Sequence, residues 1–110
     1  MGKFVIKKRT NGEFQFNLLA GNGQPILASE GYASKAGCES GIDSVRVNSQ
    51  DDTKFDRKSA VSGKAYFNLK AANGQIIGTS EMYETSAGCE NGIKSVATNA
   101  PDAPVEDTTT

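Results

Sequence analysis

The chain has 110 residues, 36% of them hydrophobic, with 12 basic against 13 acidic side chains and no histidine. That length can bury one core without disulfide or metal staples. The near-cancelling charge offers no one-signed field to nucleic acid or an anionic membrane, and the missing histidine removes Ser-His-Asp and Cys-His nucleophile systems and most zinc and iron sites.

At the N-terminus, Phe4-Val5-Ile6 is too short for the apolar region of a signal peptide, and Ile6 stands where a myristoylation site needs Ser or Thr. No apolar run approaches membrane-spanning length. The expectation is a cytoplasmic protein with free thiols. The first predicted strand runs over Phe4–Arg9; its basic end, Lys7-Lys8-Arg9, reads as a solvated edge strand, and the turn Asn11-Gly12 follows. Phe14, Phe16 and Leu18 alternate with Gln15 and Asn17, so the second strand buries one face. Asn22-Gly23 predicts a type I′ hairpin. A third strand covers Gln24–Ser29, with Pro25 placing it at an edge or making it start late.

Tyr32 then falls just before a helix, where it is expected to wedge helix against sheet. Ser34 is placed to cap that helix. Cys38, Gly41, Ile42 and Val45 follow at i, i+3, i+4 and i+7, a narrow apolar stripe. A glycine on that stripe costs about 1 kcal/mol against alanine and implies close approach of the helix backbone to the sheet. Glu39 reads as a first-turn acid and Asn48 as a C-terminal cap.

The same sequence of elements then recurs. Shifted by 51 residues, Phe14–Ser49 falls on Ala65–Ala100 without a gap, and 20 of the 36 positions are identical. The second copy predicts strands over Lys54–Lys58, over Ala65, Phe67 and Leu69, and over Gln75–Ser80. Its turns are Ser62-Gly63 and Asn73-Gly74. Tyr83, Thr85, Glu90, Asn99 and the stripe Cys89, Gly92, Ile93 and Val96 complete it. Ser49–Thr53 is too short to separate two domains. The predicted architecture is therefore α+β: two tandem βββα(β) repeats sharing one antiparallel sheet, two helices on one face, related by a pseudo-twofold axis. One domain spans residues 1–110, with repeats at 1–50 and 51–103. Residues 104–110 form a short edge strand or a tail whose last three threonines are disordered.

The pairing of "NLLAGNGQPILASEGYASKAGCESGIDSV" with "NLKAANGQIIGTSEMYETSAGCENGIKSV" resembles the YegP-like family of small bacterial proteins in its duplicated form. The resemblance implies a βββα unit with an added strand, two units sharing one antiparallel sheet, and exchange of the last strand of a unit into its partner. It implies bacterial origin and supplies no reaction, ligand or catalytic residue. By the same resemblance, the position of Cys38 and Cys89 looks like one that the family commonly fills with another small residue, which counts against a thiol-based role.

No motif assembles a reaction centre. "GNGQP" lacks a third glycine and precedes a strand, so it is a turn and not a dinucleotide loop. Asp51, Asp52 and Asp56 lack the spacing of a calcium loop. The matched carboxylates Glu30 and Glu81 read as the ends of exposed strands. Cys38 and Cys89 lie on the buried stripe beside acids, and side-by-side helices about 10 Å apart keep them beyond the roughly 7 Å between Cα atoms that a disulfide tolerates. What remains is the sheet face opposite the helices, carrying Gln15, Asn17, Leu19, Tyr66, Asn68 and Lys70. The functional expectation is a non-enzymatic binding or protein-interaction module using that face, with Asn17, Tyr66 and Asn68 as candidate contacts. The alternatives are a small enzyme or thiol-redox protein with a reactive Cys38 or Cys89, or a weak single-strand nucleic-acid binder, for which Tyr66 is the one stacking residue assigned. No cofactor or metal, no catalytic residue and no membrane partner is expected; nucleic acid is not the expected partner, and the chain is a monomer or homodimer.

Overall fold

The computed structural model describes residues 2–109. Each copy contributes three strands and a helix: β1 (Lys3–Lys8), β2 (Phe14–Leu19), β3 (Pro25–Ala28) and α1 (Lys35–Asn48), then β4 (Phe55–Ser59), β5 (Ala65–Lys70), β6 (Ile76–Thr79) and α2 (Ser86–Asn99). A final strand, β7 (Val105–Asp107), follows α2. The seven strands form one sheet in the order β4-β5-β6-β3-β2-β1-β7, with the two copies meeting where β3 pairs β6. All pairings are antiparallel except the last. There β7 runs parallel to β1, so the sheet is mixed, and the strand after the second helix adds to the first copy.

Alternation decides which side is buried. Phe4, Ile6, Phe16, Leu18 and Leu27 from one copy join Phe55, Phe67 and Leu69 from the other in a single core. Over them lie the helix stripes, Cys38, Ile42 and Val45 in α1 and Cys89, Ile93 and Val96 in α2. Each helix also crosses the seam: α1 packs on β5 and β6, and α2 on β3. The Ser34 and Thr85 hydroxyls accept the Gly37 and Gly88 N–H groups at 3.0 Å, as the capping signal predicts.

Several local expectations are revised. Gly23 and Gly74 have φ of 84°, but Asn22 and Asn73 do not enter the left-handed region. The loops are therefore turns closed by one left-handed glycine, not type I′ turns with two positive-φ residues. The asparagine side chains accept instead from the Gln24 and Gln75 N–H groups at 3.0 Å. Pro25 opens β3, which lies inside the sheet, so it delays the strand without making it an edge. Asn48 and Asn99 are not left-handed caps; each turns its amide back to donate to the carbonyl of Ser44 or Ser95. Glu39 and Glu90 lie beyond the first turn. Thr108 and Thr109 are tied down, Thr108 to the Ile6 carbonyl and Thr109 to Asp107; Thr110 lies outside the described residues. Among those residues no helix is long and apolar enough to cross a membrane.

Candidate functional site

The sheet face away from the helices is built from the polar members of the alternating strands. Its central row crosses all seven: Glu106, Val5, Asn17, Ala28, Thr79, Asn68 and Asp56 are successive register partners. The pseudo-twofold axis passes between Ala28 and Thr79. Asn17 and Asn68 are symmetry mates separated by three strand spacings, about 14 Å. Tyr66 pairs with Lys58 in a neighbouring row. All three sequence-predicted candidates thus occupy this face, but they form no compact cluster. The other seven aromatic rings lie on the helix side or wedge beside it, leaving Tyr66 alone on the open face.

The two halves of the face differ chemically. In the second copy Asp56 receives both Lys70 and Lys58 at 3.2 Å, and these lysines hold its carboxyl below the ordinary value. Asn68, the register partner of Asp56 beside this bridge, is 7% exposed and accepts a hydrogen bond from Thr79 at 2.8 Å. In the first copy Val5 and Leu19 stand at the positions of Asp56 and Lys70, so no such bridge forms. A shallow depression opens there, lined by Lys3, Val5, Lys7, Asn17, Leu19, Pro25 and Glu106 among others. Its rim is charged, with Lys3 paired to Glu106 at 2.8 Å. Its floor is apolar, from Val5 and Leu19. Asn17 Oδ1 accepts from Gln15, whose own Oε1 accepts from Arg9 at 2.7 Å. Sequence reasoning found Asn17 and Leu19 by alternation. It missed Val5, Lys3 and Lys7, whose strand carries an apolar residue on each face and so shows no clean period.

The cysteines present the opposite of a nucleophile's environment. Both are free and buried. Burial first, then Glu39 and Asp107, push the Cys38 thiol up to about 11. Burial and Glu90 raise Cys89 as well, with Arg57 opposing. Such groups are protonated at neutral pH, whereas a reactive thiol needs a depressed pKa.

A tandem pair of βββα units sharing one sheet, with that sheet's second face left open, defines the class of this protein. The profile described as "Domain of unknown function (DUF1508)" matches it twice, over residues 10–56 and 60–107, and the chain belongs to that family. Among curated relatives it is 50% identical over 108 residues to the UPF0339 protein YegP of Escherichia coli strain K12, covering 98% of each chain. It is also 50% identical over 104 residues to a UPF0339 protein from the 5′ region of the ptx operon of Stutzerimonas stutzeri, covering 94% of each. The solution NMR structure of E. coli YegP superposes with a TM-score of 0.93 at 50% identity, over 97% of this chain and 92% of that one. That of a UPF0339 protein from Shewanella oneidensis gives 0.91 at 47% identity, over 96% and 90%. The former is described as a protein of unknown function.

Proposed function

We propose that the protein is a non-enzymatic binding module, folded as one domain, whose open sheet face engages an extended partner. The observation that carries this reading is the asymmetry of that face. The copies share a scaffold, yet only the first leaves its amide unbridged, beside a depression with an apolar floor and lysines at its rim. A flat surface of salt-bridged side chains offers a partner little apolar area to bury, whereas a depression of this kind does. Asn17 supplies the directional hydrogen bond, and a partner lying along the central row continues toward the second copy, where Tyr66 stands beside the buried Asn68. The thiol alternative draws no support from cysteines held protonated in the core. Single-strand nucleic acid would need several aromatic platforms, and the face has one.

The test is affinity capture from native lysate followed by NMR titration of the isotopically labelled chain with the recovered partner. Leu19→Glu and Asn17→Ala are expected to weaken binding at least tenfold, and Tyr66→Ala and Asn68→Ala less, all with unchanged amide spectra elsewhere. Shift changes should fall on Val5, Asn17 and Leu19. Full binding by the Asn17, Tyr66 and Asn68 variants, or shifts confined to the helix side, would overturn the assignment.

A further inference from the structure

The two outer strands of the repeat pair are equivalent by sequence but finished differently. On β1 the outward Phe4 N–H donates to the Pro104 carbonyl at 2.8 Å, and the Ile6 carbonyl accepts from Thr108. So β7 satisfies that edge, held by Lys3–Glu106, by Lys35–Asp107 at 2.8 Å, and by Arg46, which donates to the Ala103 carbonyl at 2.6 Å. On β4 no further strand pairs among the described residues. Two of its outward groups are satisfied from within: Phe55 N–H, the equivalent of Phe4 N–H, donates to the Asp52 carbonyl of the preceding 3-10 turn, and the Phe55 carbonyl accepts from Arg57 Nη1 at 3.3 Å. Arg57 stands where the first copy has the buried Ile6. Two of its nitrogens are anchored on Glu90 at 2.6 and 2.9 Å, and it reaches Asp52 at 2.9 Å.

We propose that Arg57 is a latch closing the outer edge of β4, a strand-docking site whose occupant, once the latch is released, is the C-terminal strand of a second copy of this chain. The occupant is assigned by the molecule itself, since that segment already lies on the symmetry-equivalent edge, in parallel register Phe4↔Val105 to Ile6↔Asp107. The residues that begin the two edges, Lys3-Phe4 and Lys54-Phe55, are identical. Beside β4 a cleft is lined by Arg57 and Glu90 together with Ser59, Ala65, Ser86 and Cys89. Its counterpart in the first copy is where Asp107 meets Lys35, next to Cys38. The second copy has Ser86 and Ala97 in place of the clamps Lys35 and Arg46, so docking there is weaker than on β1 and a single latch is enough to prevent it. A charged side chain laid across an exposed edge is a known means of stopping edge-to-edge association.

The experiment uses the full chain, a synthetic peptide spanning residues 103–110, sedimentation velocity and amide NMR. The wild type should stay monomeric and show no peptide-dependent shifts on β4. Arg57→Ile, which installs the first copy's residue, should bind the peptide at least tenfold more tightly, with shifts on 55–59 and 86–90. It should also self-associate at high concentration, where the C-terminal strand of a second copy exchanges off its own β1 edge, and the peptide should reverse this. If Arg57→Ile does not fold, Arg57→Ala serves in its place. The proposal is overturned if the folded variant gains neither binding nor association, if the wild type binds equally well, or if the shifts fall on Phe4–Ile6, where added peptide would merely displace β7.

Discussion

Tyr32 and Tyr83 lay their rings against Phe16 and Phe67, nearly parallel at centroid distances of 6.3 and 6.4 Å. A Cβ added at Gly41 would strike the Tyr32 hydroxyl, with Tyr32 Cζ at 2.8 Å and Phe16 Cε2 at 3.0 Å; Gly92 meets Tyr83 in the same way. The stripe glycines therefore make room for an aromatic wedge rather than for the sheet backbone. Gly41→Ala is expected to cost about 1–3 kcal/mol by overpacking, measured by urea denaturation. Combining it with Tyr32→Phe should recover part of the loss, because the hydroxyl is the first atom in the way. Equal losses in the single and double variants would rule this reason out. The sequence displays the glycine, the tyrosine and the wedge role separately, since each is local. That the first exists for the second depends on two elements meeting in space, which no spacing along the chain records.

Strands β2 and β5 were legible because burial of one face forces a period of two. The capped helices were legible because a hydroxyl three residues before a free N–H is a short-range signal. β7 was not legible in the same way. Three residues carry no period, and a partner about a hundred positions away is chosen by what the rest of the sheet leaves uncovered. Its attachment is electrostatic in good part and so responds to acid. Lys35 and the Thr109 hydrogen bonds hold the Asp107 carboxyl down to about 2. A folded-state value below the unfolded one, near 4, means the carboxylate's contribution is complete above that unfolded value and is lost as pH falls toward 2. Amide exchange at Glu106–Thr108 should accelerate, relative to the core strands, over that interval. Asp107→Asn should show the faster exchange already at neutral pH and lose the acid dependence. Exchange at β7 that tracks the core at every pH would refute the assignment.

At the scale of the whole molecule, the duplication is clearest where it fails. Leu27 is 1% exposed at the seam, and its repeat mate is Gly78. A Cβ on Gly78 would lie 2.7 Å from the Leu27 side chain, so one leucine fills a space the symmetry offers to two. Leu27→Ala should cost about 2–5 kcal/mol through the cavity it leaves, and Gly78→Leu should destabilise by crowding. The reciprocal pair, Leu27→Gly with Gly78→Leu, should restore much of the loss. A coupling of 1 kcal/mol or more is expected in a denaturation cycle, and additive losses would show that the two positions do not share that space. The seam also confers a preference on the halves. Two first units brought together would set leucine against leucine across the axis, and two second units would leave glycine facing glycine over a void. Only unlike halves interdigitate, so the substitution that spoiled the repeat also made each half selective for the other.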